Sequence, residues 1–361
     1  MAATEFALND PLAVQRWSTS LAKEAEVKQY FRKFMGTGDD ALIKVKTELN
    51  KQAGEKIIFA LRMKLGGDGA EDDDQIEGTS AEEALEFFND FVFISQRRKG
   101  TKSKGKMSEQ RVPYNMRLEG RNALSTWWAE DYDQQLMMYL AGARGVDTSF
   151  HVGLSWAGRA NNSLRAPDAA HQIYGGAATG KGDLDSADGL ALGIVEKLVA
   201  KAETLDPMIQ PFRVQGENKF VFLMHTFQAY SLRTSTSEND WVDIQKNAGL
   251  RGDGNHLYHN ALGEYADVIL HKHRNVIRFD DYGSGSDVDA ARALFLGAQA
   301  AVIAWGGGGA FGRYSWNEET DDRGNALVIT AGAMFGCSKA RFNSLDFGVI
   351  AVDTYIADPN A

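Results

Sequence analysis

Between residues 115 and 140 the apolar positions fall at helical spacing. Leu124, Trp128, Tyr132, Leu136 and Leu140 stand four apart, with Ala123 and Trp127 beside that row. The pattern predicts a helix roughly 40 Å long at about 1.5 Å per residue, which suits a spine along which other elements pack. Upstream, Val14, Trp17, Leu21 and Ala25 predict a second helix over 11–34, with Asp10 as candidate N-cap, Pro11 at the first helical position and Gly36 as stop. Its apolar face has little to bury against nearby in the chain. An arm is expected, lying on the body of the protein or on a neighbouring copy.

Between these helices the period changes to two. Over 55–65, Ile57, Phe59, Leu61, Met63 and Leu65 alternate with Ile58, Ala60, Arg62 and Lys64, as in a strand with one apolar face. A glycine-acid segment at 66–74 and a second strand-like run at 85–94 follow, so the two runs can pair as a long hairpin with a flexible acidic tip. Such a hairpin alone is marginal in water and needs a partner surface.

Downstream, 142–181 reads as loop. A helix is predicted over 186–203 with Leu190, Ile194, Leu198 and Val199 on one face, and a strand buried on both faces at 220–224. Helical or turn-like stretches at 227–233 and 240–248 precede strands at 268–271 and 275–279. Ala290, Leu294, Ala298, Ala301 and Val302 predict a small-residue helix over 287–305, stopped by the glycines at 306–309. Strands are expected at 327–330 and 347–354. Helices and strands without regular βαβ alternation imply an α+β class.

Three stretches carry a family resemblance: Asn9-Asp10-Pro11-Leu12-Ala13-Val14, then Lys106-Met107-Ser108-Glu109-Gln110-Arg111-Val112-Pro113, then Trp127-Trp128-Ala129-Glu130. Ala261-Leu262-Gly263-Glu264-Tyr265 and Asp346-Phe347-Gly348-Val349 also fit. The chain resembles major capsid proteins of tailed bacteriophages, in particular the N-four-like podovirus capsid family, most specifically over residues 9–140. The resemblance implies the phage major capsid (HK-ninety-seven-type) fold. That fold would comprise an N-terminal arm (1–50), an extended hairpin loop that reaches over the adjacent subunit (51–112), a spine helix with a peripheral domain (113–180), a mainly axial domain (181–325) and C-terminal strands returning to the body (326–361). It also implies a structural, non-enzymatic protein that self-assembles as hexamers and pentamers into an icosahedral shell around double-stranded DNA. Scaffolding, portal and decoration proteins are the implied partners, with scaffolding a separate protein, since the chain opens at Met1 directly on the arm. The virion is the expected location, after synthesis in the host cytoplasm.

Composition agrees with this expectation without demanding it. A chain of 361 residues, 43% hydrophobic and 10% aromatic, is large enough for two or more cores. It holds no run of 18 apolar residues and no basic or apolar leader, so no membrane span or secretory signal is expected. Cys337, the single cysteine, sits among small apolar residues and reads as a buried hydrophobe. The net charge of −10 has the wrong sign for affinity based on neutralising phosphates. A shell of this charge would enclose DNA without binding it tightly or sequence-specifically.

The charge is unevenly placed: residues 68–86 hold nine carboxylates, residues 97–111 seven Lys and Arg. Three readings compete, namely ordinary solvated charge, contact between the acidic tip of one copy and the basic run of another, and a nucleic-acid patch. The last lacks interleaved aromatics. Candidate subunit contacts are therefore Asp72, Asp73 and Asp74 against Arg97, Arg98, Lys99, Lys102 and Lys104.

Candidate chemistry is incomplete. The stretch from Gly175 to Lys181 matches the core of a phosphate-binding loop, but Gly182 replaces the magnesium-binding hydroxyl and 171–174 does not read as the buried strand that should precede it. His256 with His259, and His271 with His273, suggest a metal, yet no carboxylate or cysteine at a recognised spacing completes either set, and surface or subunit-contact histidines are expected. No cofactor is expected. Two alternatives remain at this point: a nanocompartment shell of the same fold, and a metal-dependent enzyme using His256 and His259.

Overall fold

The spine is the longest helix of the computed structural model, which describes residues 11–49, 54–62, 65–66, 69–73, 75–78, 82–214, 217–235, 261–307 and 314–359. In chain order, α1 (Pro11–Lys28) leads through a 3-10 turn (Phe31–Phe34) to β1 (Met35–Gly36) and β2 (Ile43–Leu49). A hairpin of β3 (Lys56–Arg62) and β4 (Phe87–Phe93) precedes β5 (Ser95–Lys102), the short α2 (Lys106–Gln110) and the spine α3 (Met116–Ala141). The stretch predicted as loop holds three short strands, β6 (Gly158–Arg159), β7 (Asn162–Ser163) and β8 (Gln172–Tyr174). Next come α4 (Leu192–Thr204), β9 (Phe212–Val214), β10 (Glu217–Met224), α5 (Thr226–Ser235), β11 (Ala261–Tyr265), β12 (Val268–Lys272) and β13 (Arg278–Tyr282). The chain closes with β14 (Val288–Leu296), β15 (Ala301–Gly306), β16 (Tyr314–Asp321), β17 (Ala326–Lys339), β18 (Arg341–Phe342), β19 (Leu345–Asp346) and β20 (Val349–Tyr355).

The spine starts and stops where its sequence dictates. Asn115 Oδ1 accepts the N–H groups of Arg117 and Leu118, satisfying two of the donors a helix start leaves free. Gly142 ends it at φ 67°, where a Cβ would lie 2.0 Å from the Arg165 carbonyl oxygen, so only glycine fits. Leu124, Trp128, Tyr132, Leu136 and Leu140 are all buried as the row predicts, each worth roughly 1.5–3 kcal/mol on removal from water. From Asp131 to Ala141 every residue is buried, because this half of the helix runs between two sheets.

One sheet has the order β1-β2-β15-β17-β16, with β5 also paired to β17; the other has the order β11-β12-β10-β14-β20-β8, with β13 on β14 and β9 on β10. β17 is long enough to hold β16 and β5 over its first part and β15 over its last. The side chains of β10 show how the eight-stranded sheet is filled. Val221 and Leu223 join the core shared with the spine, while Phe220, Phe222 and Met224 join the core under α4 and α5. The strand at 220–224 is thus buried on both faces, as its continuous apolar run predicts.

Several expectations fail, for identifiable reasons. Residues 287–305 are not a helix but β14 and β15, which lie in different sheets. An alanine-rich run buried from both sides carries no period, and the break lies at Gly297, where a Cβ would sit 2.5 Å from Ile209 Cγ2, and at Gln299, at φ 55°. The helix predicted over 11–34 divides at Lys28 into α1 and the 3-10 turn, and the one predicted over 186–203 starts only at Leu192. The strand expected at 275–279 begins at Arg278, and the one at 327–330 extends to Lys339. Residues 171–174 were expected not to be a buried strand, yet β8 pairs in parallel with β20 and buries Ile173. Asp10, the stretch 240–248, His256 and His259 lie outside the described residues.

Candidate functional site: an assembly surface

The hairpin is built with two apolar faces. Alternation sends Ile57, Phe59 and Val92 inward onto Val302, Ala304, Ala340, Phe342 and Phe347, with the Phe59 and Phe342 rings edge-on at 5.8 Å. In the same register Ile58 stands opposite Phe91 on the outer face. There Ile58 and Phe87 are each 60% exposed, and Lys56 Nζ lies 4.0 Å over the Phe91 ring. Beyond the strands the apolar side chains of Leu65, Ile76 and Leu85 are also exposed.

Polar clamps hold the root. Arg165 grips the buried Asp90 with two bonds of 2.7 and 3.0 Å, and the Arg341 N–H donates to the same carboxylate. Asn162 mimics a strand partner, accepting from the Phe93 N–H at 2.9 Å and donating to the Phe93 carbonyl at 2.7 Å. None of these roles was foreseen from the sequence. The available signal was Asp90 itself, a carboxylate at an inward position of an apolar strand.

The first part of the basic run, with the candidate contacts Arg97, Arg98, Lys99 and Lys102, is strand β5 on the edge of the six-stranded sheet, and Lys104 follows it. Alternation splits its charges between two faces. Arg97 and Lys99 turn toward the spine, where both cations lie over the Trp127 ring at 5.3 and 5.4 Å. Arg97 also bonds the buried Asp131 at 2.6 Å, and so has a carboxylate partner inside its own chain. Lys102 pairs with Asp321 on β16, both side chains more than half exposed, a contact worth little by itself. Arg98 and Lys104 are exposed, as are Asp72 and Asp73 at the far end of the hairpin; Asp74 lies outside the described residues. The acidic and basic candidates are therefore not joined to each other within one chain by any ion pair among the described residues.

The arm lies on the body. Trp17 stacks on Trp316 at 6.0 Å, Leu21 and Ala25 are fully buried, and Arg121 of the spine bonds Glu24 at 2.8 Å. At its end Asp133 of the spine accepts the Tyr30 and Phe31 N–H groups at 2.8 and 3.2 Å. Burial pushes the Asp133 carboxyl up to about 7 against the pull of those two N–H groups. Lys33 is pushed down to about 8 by burial.

The candidate chemistry resolves into packing. His271 is buried with its ring edge-on to Phe34 and so is not a surface histidine, whereas His273 is half-buried against Tyr30, and both rings face one side. Among the described residues no group of three or more His, Cys, Asp or Glu is placed to hold a metal. In the phosphate-loop-like stretch the Ala177 N–H is taken by Asp188 Oδ1, and Lys181 opens a three-residue 3-10 turn rather than a helix. Cys337 is buried, its thiol pushed up to about 12.

Comparison with known proteins bears directly on this surface. The family model described as "Phage capsid protein" matches residues 5–358. The major capsid protein of Pseudomonas phage KPP25 is 27% identical, with 94% of each chain covered. Among solved structures, the capsid of Ralstonia phage GP4 superposes with a TM-score of 0.88 at 41% identity over all of both chains. The capsid of cyanophage Pam1 superposes with a TM-score of 0.71 at 21% identity, covering 91% of this chain and 93% of that one, a likeness of fold.

Proposed function

Because this chain belongs to the phage capsid protein family, we propose that its hairpin, basic strand and sheet edges are the parts by which copies join into the shell. The chain is a phage major capsid protein with the HK-ninety-seven-type α+β fold, a structural component of the virion that assembles with copies of itself. The observation that carries the assembly reading is the outer face of the hairpin, where Ile58 and Phe87 stay exposed while Ile57, Phe59 and Val92 of the inner face are buried. A two-stranded ribbon with an uncovered apolar face calls for a partner surface, and a neighbouring copy is the partner always at hand in a shell.

In this reading the acidic end of the hairpin, Asp72, Asp73 and Asp74, meets Arg98, Lys99 and Lys104 of the next copy. Arg97 and Lys102 contribute through the strand they stabilise at home. Such charge pairs set register and orientation more than affinity. Repeated, symmetry-related contacts of this kind fall in the large obligate class. The spine with the six-stranded sheet forms the peripheral part, and the eight-stranded sheet with α4 and α5 forms the axial part. The second boundary then falls near Gln299 rather than at 325, since β15 and β16 lie with β17 beside the spine. Hexamers and pentamers, scaffolding, portal and decoration partners, and synthesis in the host cytoplasm complete the proposal. With its net charge of −10 the wall holds DNA without adhering to it.

Particle mass and negative-stain imaging of the expressed chain test the reading. Closed shells, or sheets and tubes of regular subunits, support it. A stable monomer that carries stoichiometric metal overturns it.

A further inference from the structure

Resting on the assembly reading above, we propose that the segment 106–119, which projects ahead of the spine, is the surface on which the far end of a neighbouring copy's hairpin docks. Its root is pinned. Ser103 exchanges bonds with the Leu327 backbone at 2.8 and 3.0 Å, and the Lys106 N–H donates to Asn325 at 3.3 Å. Gly105 turns at φ 145°, where a Cβ would meet the Asn325 side chain at 2.8 Å. The far end is pinned by the Asn115 cap of the spine. Between these anchors nothing folds back: of the residues 106–119 only Glu109 and Arg117 are less than exposed, and α2 buries no residue.

Yet the segment is apolar. Met107 is 66% exposed and Tyr114 65%, and Val112, Met116 and Leu118 are exposed beside them. Five apolar side chains within so short a fixed stretch are unusual on a lone soluble chain and characteristic of a contact surface. The charges beside them are Lys104, Lys106, Arg111 and Arg117 against Glu109 and Glu119, so the flank is basic on balance.

The hairpin end has the complementary composition. Leu65, Ile76 and Leu85 are each more than half exposed, and around them Glu71, Asp72, Asp73, Glu77, Glu82 and Glu83 are exposed carboxylates. An apolar centre with an acidic rim fits an apolar centre whose rim is basic on balance, the arrangement of a specific interface. The occupant is thus a second copy of this chain, joined head to tail, which leaves each copy with one donor end and one acceptor end.

Two variants of the full chain test the assignment against wild-type particles. Met107→Ser combined with Tyr114→Ser should lower particle yield at least tenfold while leaving the melting temperature of the unassembled chain unchanged, since both side chains are exposed in it. Ile76→Cys combined with Tyr114→Cys should give a ladder of covalent oligomers on mild oxidation of the particles, and neither single cysteine should. Wild-type yield in the serine variant overturns the proposal. A fall in its melting temperature also overturns it, because the patch would then be covered by its own chain. Normal cysteine particles without a ladder sink the hairpin as occupant and leave the shell reading intact, whereas absence of particles from the wild-type chain would count against that reading instead.

Discussion

Arg292 and Asp353 stand opposite each other on β14 and β20 and form a two-pronged ion pair, Nε to Oδ1 at 2.7 Å and Nη2 to Oδ2 at 2.8 Å, buried in the eight-stranded sheet. The remaining prong, Nη1, reaches the Ala141 carbonyl at 3.0 Å, one of the acceptors the end of the spine leaves unpaired. Burial pulls the guanidinium down, but Asp353 beside it more than offsets that and holds it firmly charged. The pair thus ties the spine to the sheet. Asp353→Ala would strand a buried cation and is expected to cost about 3–5 kcal/mol, read as a shift of the urea midpoint. Arg292→Leu with Asp353→Leu should lose less than the single change, because no charge is left uncompensated. A single variant within about 1 kcal/mol of wild type would show that the tie does not matter.

Two histidines give the chain an acid limit. The Phe227 N–H donates to Nδ1 of His225 and the Asn275 N–H to Nδ1 of His273, both at 3.1 Å, so both rings serve as neutral acceptors. Burial, then Arg278 for His225 and Arg274 for His273, pushes each down to about 4. Below an ordinary histidine value of 6.5 the unfolded chain takes up protons that the folded chain refuses, so stability falls as pH drops from 6.5 toward 4. Asp133 works the other way, because its raised value makes the folded state bind a proton between about 7 and 3.8. Two histidines outweigh one carboxyl, and the net slope is destabilisation by acid. His225→Asn with His273→Asn keeps an acceptor for each N–H and removes the titration. Melting temperature should no longer fall between pH 6.5 and 4 in that variant and should rise slightly toward acid, since Asp133 is left to act alone, and an unchanged downward slope would place the acid limit elsewhere.

The elements legible in the sequence are those whose burial is one-sided over at least part of their length. The first half of the spine buries one stripe before the helix passes between the sheets, and the helix carries its own signals at both ends, Asn115 and Gly142. The hairpin strands alternate because one face meets the core and the other does not. Illegibility has two physical sources. β14 and β15 are buried from both sides, which erases periodicity and leaves alanines that suit a helix equally well. β5 is so charged that it reads as solvated, and what makes it a strand is β17, more than two hundred residues away. The acidic and basic runs were visible, but the clamps at the hairpin root were not. Arg165 meets Asp90 across 75 positions and Asn162 meets Phe93 across 69, distances at which sequence spacing carries no information.

The arm belongs to its own subunit. Leu21 is fully buried in the core shared by α1, the spine and β16. Leu21→Ala is therefore expected to cost about 2–5 kcal/mol in the unassembled chain. It should also expose the arm to limited proteolysis, with new cleavage between α1 and β2 while the body resists. If stability is unchanged before assembly and only particles are weakened, α1 packs on a neighbour instead.

Charge reversal at the hairpin end separates the two roles of the basic strand. Among the described residues, exposed Asp72 and Asp73 form no ion pair with β5 in one chain, so Asp72→Lys, Asp73→Lys and Asp74→Lys together should leave folding intact while repelling Arg98, Lys99 and Lys104 of the next copy. Particle yield should fall several-fold at low ionic strength. It should recover partly at high salt, where the Debye length shrinks to about 3 Å at 1 M. Arg97→Gln is expected to behave differently, lowering the stability of the single chain by uncovering Asp131, with assembly lost only as a consequence. Wild-type yield from the triple reversal at moderate salt would rule out the charge contact and leave the apolar face of the hairpin to set the register alone.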